Sequence, residues 1–232
     1  MSVPQLPLAL RAPPDQRFES FIDAPAGAIE QLRLLASAPQ PDCVFVSGAP
    51  HTGKTHLCLA LYASAGEAGR RMAYVPLAAA RGRVREALEA LDGYQVVAVD
   101  GIEAVAGDAA DELALFDFHN RAKAARQNLL YTSRLPPDAL PIALPDLRSR
   151  LAQCARVLLQ TLNDQGRRAL LKDRAQRRGL AVEEPAFDWM LANVDRDPVS
   201  LIGLIERLDR ESLAAQRKVT VPFLKQVLGP TG

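Results

Sequence analysis

Residues 48–55 read GAPHTGKT, two glycines with four residues between them followed by a lysine and a threonine. This spacing, G-x-x-x-x-G-K-T, is suited to binding phosphate. The glycines let successive backbone N–H groups turn onto an anion, Lys54 neutralises the outer phosphate oxygens, and the Thr55 hydroxyl helps to hold Mg²⁺. The candidate nucleotide-contacting residues are Gly48, Ala49, Pro50, His51, Thr52, Gly53, Lys54, Thr55 and, beside them, His56. ADP or ATP with Mg²⁺ is the expected ligand. A carboxylate must reach the same metal from a neighbouring strand, and the run QVVAVD (95–100) ends in Asp100. The next residue is Gly101, where ATPases of this broad type place the acid that polarises the attacking water. Glu103 lies two positions further on and could take that part only through an unusual turn.

These residues need a scaffold that delivers strand ends to one place. Four short apolar runs, CVFVS (43–47), MAYVP (72–76), QVVAVD (95–100) and NLLYTS (128–133), are the length of buried strands, and RVLLQT (156–161) is a weaker fifth. Between them, 55–65, 84–91 and 112–125 are alanine- and leucine-rich with helical spacing. Alternating strands and helices predict an α/β fold, a parallel sheet flanked by helices. After about residue 161 the strand-like runs stop. Gly179 ends a helix, Glu183, Glu184 and Pro185 start another, Pro198 starts a third, and Val219-Thr220-Val221-Pro222 opens a last short one. The spacing predicts a tail over 1–14, an α/β nucleotide-binding domain over 15–162 and a small all-α lid over 163–232.

The chain of 232 residues can bury a substantial core, and 28 Lys+Arg against 27 Asp+Glu give a formal charge of +1. The totals therefore announce neither nucleic acid nor membrane. Cys43, Cys58 and Cys154 are odd in number and far apart, which argues against a disulfide framework or a zinc site; all three are expected as reduced core residues. No apolar run is long enough to span a membrane, and the prolines of MSVPQLPLALRAPP are wrong for a signal peptide. A cytoplasmic protein is expected.

The order of motifs adds a resemblance. GKTHL (53–57), the segment VVAVDGIEAVAG, LFDFHNRA, a strand ending in Thr132-Ser133, and PDLRSRL (145–151) resemble the DnaA/Hda family of bacterial replication proteins in the same order. The resemblance covers nearly the whole chain and implies an AAA+ P-loop fold with a helical lid. A full initiator carries a helix-turn-helix domain after its lid, whereas this sequence ends at KVTVPFLKQVLGPTG, so no dedicated DNA-binding domain is expected. QLPLAL (5–10) resembles the motif by which Hda docks on the DNA polymerase sliding clamp, the beta subunit, with Gln5, Leu6, Leu8 and Leu10 as contacts. Physically it is an extended, proline-stiffened peptide with no fold of its own to bury its leucines.

The same resemblance makes Arg150 the arginine finger that reaches from one AAA+ subunit to the nucleotide of the next; Arg148 lies about 200° away round a helix. It implies a negative regulator of replication initiation that binds nucleotide, docks on the clamp and stimulates hydrolysis of ATP held by DnaA, with at most weak ATPase activity of its own and a possible homo-oligomer. Two further positions depart from the family. Arg134 stands where a polar γ-phosphate sensor is expected, leaving Thr132 and Ser133 as candidates, and Val199 stands where the lid arginine is expected, with Arg196 nearby. The basic stretch RRALLKDRAQRRG (167–179) reads first as an amphipathic lid helix and second as a contact for DNA or an acidic partner. Two other readings stand beside the main one. One is an autonomous ATPase of helicase-loader type, favoured if Glu103 is catalytic; the other is a pure adaptor between clamp and initiator.

Overall fold

A computed structural model describes residues 15–215 and 217–229. The tail motif, with Gln5, Leu6, Leu8 and Leu10, lies outside the described residues. The chain divides into two compact units between Gln160 and Thr161.

The first unit is built on five strands: β1 (Cys43–Gly48), β2 (Met72–Pro76), β3 (Val96–Asp100), β4 (Asn128–Ser133) and β5 (Ala155–Leu159). All pair in parallel, in the order β2-β3-β4-β1-β5. The runs of Val, Leu and Phe are continuous because both faces are covered. Alternate residues serve opposite sides: Val44, Val46, Val96 and Ala98 pack with α1 (Ala28–Ser37) and α2 (Lys54–Glu67), while Phe45, Val97, Val99 and Tyr131 pack with α3 (Val84–Glu89), α4 (Ala109–Ala124) and α5 (Pro145–Ala152). β5 is an edge strand, with Arg156 and Leu158 exposed and Val157 and Leu159 buried. That half-solvated alternation is why its sequence signal is weak.

The strand order places the site. After β1 the chain crosses to the far edge for β2 and returns through β3 and β4, so β4 is inserted between β1 and β3. The carboxyl ends of β1, β4 and β3 therefore lie side by side, at the kind of switch point where parallel sheets bind ligands.

One expectation is overturned here. Cys43 and Cys154 form a disulfide across 111 residues of sequence, with their Cα atoms 4.9 Å apart; only Cys58 is a free, buried thiol. The cause is sheet register. Val44 on β1 pairs with Ala155 on β5, which brings the preceding residue of each strand face to face. Sequence spacing carries no trace of that pairing because β1 and β5 become neighbours only through the fold.

The second unit is helical: α6 (Asp164–Arg177), α7 (Glu184–Asn193), α8 (Pro198–Ala215) and α9 (Val221–Leu228). Side-chain caps start three of them, Asn163 Oδ1 accepting from Gly166 N at 2.8 Å, Asp197 Oδ1 from Val199 N at 3.0 Å and Ser200 N at 3.1 Å, and Thr220 Oγ1 from Phe223 N at 3.3 Å. Leu171, Phe187, Met190, Leu201, Ile205, Leu208 and Phe223 fill the core. The basic charge of α6 is largely met inside the unit. Arg168 pairs with Glu184 and Asp188, Lys172 with Glu184, Arg177 with Asp173, and Arg178 with Glu206 and Asp209. A run of cations in the sequence thus becomes an ion-paired surface in the fold.

Candidate functional site

The loop between β1 and α2 is shaped by two residues that tolerate no side chain. A Cβ on Gly48 would lie 2.7 Å from the Leu159 carbonyl oxygen and 2.8 Å from Thr52 Oγ1, and one on Gly53, which has φ 95°, would lie 2.6 Å from the Phe21 ring. His51 also takes a positive φ, 62°, which turns the loop back on itself. No side chain caps the N-terminus of α2, so its first N–H groups are left to the loop mouth, where an anion is favoured. Thr52 Oγ1 donates to the Ala49 carbonyl at 2.9 Å, and Ala49 and Pro50 are exposed at the loop tip. With glycine at both points and no side chain capping α2, the loop leaves backbone N–H groups for an anion such as a phosphate chain.

Lys54 is folded onto the loop, its Nζ donating to the carbonyls of Gly48 and Ala49 at 2.7 Å each. Burial lowers its pKa, opposed by the charges of Glu103 and Asp100. Both carboxylates therefore face the cradle.

Asp100 gathers three hydroxyls. Oδ2 accepts from Thr55 Oγ1 at 2.9 Å and from Tyr74 at 2.7 Å, and Oδ1 accepts from Thr132. The Thr132 contact follows from β4 lying between β1 and β3. Tyr74 was not among the sequence candidates. The signal that could have found it is register: Tyr74 pairs with Ala98 on β3, two residues before Asp100, so the two side chains share a face. Burial and the Asp100 charge push the tyrosine pKa up, keeping its hydroxyl a donor. Among the described residues no three His, Cys, Asp or Glu side chains cluster to hold a metal. A Mg²⁺ here would be shared by Thr55, Asp100 and the phosphates, which suits a hard cation that keeps several waters.

Ser133 and Arg134 lie on Glu103 instead. Ser133 Oγ donates to Glu103 Oε2 at 3.0 Å, Arg134 N to the same oxygen at 3.2 Å, and Arg134 Nε lies 3.1 Å from Oε1. The two candidate sensors are thus divided, one on each carboxylate. His56, in the first turn of α2, faces away from the loop: Nε2 is 2.9 Å from the Arg17 carbonyl oxygen and its ring meets Phe21 edge-on at 5.3 Å.

Arg150 is exposed on α5, beyond the buried Leu147 and Leu151, and has no ion pair among the described residues. Arg148 lines a separate surface recess with Asp138 and Arg156. The start of α5 has no cap of its own. Glu112, 1% exposed, anchors the segment that enters it: Oε1 accepts from Gly107 N at 2.7 Å and Ala143 N at 3.0 Å, and Oε2 from Leu144 N at 2.7 Å. This buried carboxylate ties the loop that follows β3 to the helix bearing Arg150. The sequence marked it only as the start of a helical run. In the lid, Val199 is exposed and Arg196 pairs with Asp164 at 3.5 Å.

Residues 164–228 match the family model for the lid domain of Hda. Domain III of the replication initiation protein DnaA from Thermotoga maritima is similar to 93% of this chain over 96% of its own, with TM-score 0.77 and 19% identity. DnaA from Aquifex aeolicus bound to AMPPCP matches 89% of this chain and 70% of its own, with TM-score 0.68 and 21% identity. The Holliday junction branch migration motor RuvB from Thermotoga maritima matches 92% and 71%, with TM-score 0.68 and 17% identity. The five-stranded parallel sheet flanked by helices, followed by a helical lid, is the AAA+ fold.

Proposed function

We propose that this Hda/DnaA-like AAA+ protein is a cytoplasmic negative regulator of chromosomal replication initiation. In this reading it holds ADP or ATP in the cradle of residues 48–55, docks through Gln5, Leu6, Leu8 and Leu10 on the sliding clamp, and offers Arg150 to ATP bound by the initiator DnaA. Its domains are the tail 1–14, the AAA+ domain 15–162 and the lid 163–232. The observation that carries the reading is the contrast within the first unit: a full phosphate cradle beside Asp100 and Gly101, yet an arginine exposed on α5 with no ion pair among the described residues. The AMPPCP found on Aquifex aeolicus DnaA supports nucleotide as the ligand.

The roles follow from charge. Backbone N–H groups of the loop and Lys54 neutralise the phosphates, and Thr55 and Asp100 orient Mg²⁺, which supplies further neutralisation when bound. With Gly101 after Asp100, no side chain at that position takes a proton from water. Arg150 acts on a different nucleotide. Hydrolysis spreads negative charge over the γ-phosphoryl oxygens, and a guanidinium brought by a neighbour stabilises that charge more than it stabilises ground-state ATP.

The test is turnover of DnaA-bound ATP with this protein, clamp and DNA present. Arg150→Ala should still bind nucleotide and clamp but lower the stimulated rate by about 10³-fold, within the range such fingers supply, while Arg148→Ala keeps most of it. Undiminished stimulation by Arg150→Ala would leave the protein an adaptor between clamp and initiator.

A further inference from the structure

We propose that the nucleotide site carries a latent ATP-hydrolysing activity, with Glu103 as its base and Arg134 as the residue that holds that base out of use. The inference rests on the reading of residues 48–55 as a nucleotide site, and it concerns this chain's own ATP rather than the initiator's.

The turn after β3 is what brings Glu103 into the site. Gly101 has φ 84° and ψ 55°, and its N–H bonds to the Thr132 carbonyl oxygen and hydroxyl, each at 3.1 Å. A short 3₁₀ turn, Ile102–Ala104, follows at once. Left-handed backbone at this point is open to glycine and strained for other residues. The residue that removes an acid from the usual position thereby folds the next acid back over the end of β4. Glu103 is the foremost of the charges raising the Lys54 pKa, ahead of Asp100. Its carboxylate accepts from Ser133, which closes β4 and pairs with Ser47 just before the loop of residues 48–55, so it stands at the carboxyl end of the sheet where that loop begins.

Both of its oxygens are occupied. Oε2 takes the buried Ser133 hydroxyl and the Arg134 N–H, and Oε1 takes the Arg134 guanidinium. Of its roughly four lone-pair sites three are taken by these donors, which leaves little capacity to accept a proton from water. A purely structural role explains the pair poorly, because the Arg134 side chain is 65% exposed and ion pairs at such exposure contribute little to stability. Released from Arg134, Glu103 would take one proton from a water as the water oxygen attacks the γ-phosphorus. The bond from that phosphorus to the β,γ-bridging oxygen breaks, giving ADP and inorganic phosphate. No oxidant or reductant is involved.

The experiment measures phosphate release from ATP and Mg²⁺ by the purified full chain alone, with ATP binding followed by a fluorescent analogue. Arg134→Ala and Arg134→Gln should each raise turnover at least tenfold, a cautious share of the roughly 10²–10⁴ that a positioned base supplies. Arg134→Lys, which keeps a cation near Glu103, should stay near the unmodified rate. Adding Glu103→Gln to Arg134→Ala should return the rate to that level. The proposal is overturned if both neutral variants bind ATP without a rise in turnover, if the rise survives Glu103→Gln, or if both lose ATP binding, which would make Arg134 a nucleotide ligand. Lys54→Ala separates the parent reading: equal ATP binding by it and the unmodified chain would remove the nucleotide site itself.

Discussion

At the scale of single residues, the site is a set of charged groups held by hydroxyls, and one buried imidazole behind it reports on the fold. His119 on α4 is 2% exposed, with Nδ1 3.1 Å from the Tyr131 hydroxyl. Burial, and then the charges of Lys123 and Arg150, lower its pKa from 6.5 to about 4. The sign follows from proton uptake. Between pH 6.5 and 4 the unfolded chain binds a proton that the folded chain refuses, so stability falls as pH drops through that window and stops falling below it. At pH 4.5 the loss due to this group should be about 2–3 kcal/mol relative to pH 7. Urea midpoints of the unmodified protein and His119→Gln at the two pH values check it; a gap between them that does not change with pH would disprove the assignment.

At the scale of elements, α5 is the part on which the proposed trans role depends, and it is a short helix whose entering segment is held from outside. Glu112 supplies that hold by accepting three backbone N–H groups. Replacing it with alanine leaves three part-buried donors without their partner, at about 1–3 kcal/mol each to the extent that water cannot reach them. Glu112→Ala should therefore destabilise the protein by about 3–5 kcal/mol, read by chemical denaturation. Glu112→Gln keeps one carbonyl oxygen and should lie between the two. A loss under about 1 kcal/mol in the alanine variant would mean that α5 starts without this carboxylate, contrary to its missing cap.

At the scale of the molecule, one connection is made that no single element contains, and a second is proposed. The disulfide between Cys43 and Cys154 closes 111 residues, and Cys58 remains buried. Thiol titration of the denatured, unreduced protein should give one reactive group, rising to three after reduction; three before reduction would show the pair open. The proposed one is the contact of residues 5–10 with the sliding clamp. Replacing Gln5 and Leu6 with alanine should abolish retention on immobilised clamp while leaving nucleotide binding unchanged. Unaltered retention would place the clamp contact elsewhere.

The sequence by itself determined the elements and suggested the ligand class. Hydrophobic runs of strand length, helical spacing and proline or glycine punctuation are local properties, and so is the P-loop, whose residues are consecutive. Lys54, Thr55 and Asp100 were legible for that reason, as was the order of five strands along the chain. Pairing was not. Only the tertiary structure decided that β4 lies between β1 and β3, which sets Thr132 on Asp100 and Ser133 on Glu103, and that Tyr74 reaches Asp100 from a strand that pairs with β3. The same cause explains the cysteines, read as three reduced thiols and found as one bridge and one thiol. Contacts between residues distant in sequence depend on sheet register and crossover, which strand-length patterns do not encode. Glu103 marks the boundary between the two: its position after Gly101 was visible, but the backbone turn that aims it, and the arginine that holds it, belong to the fold.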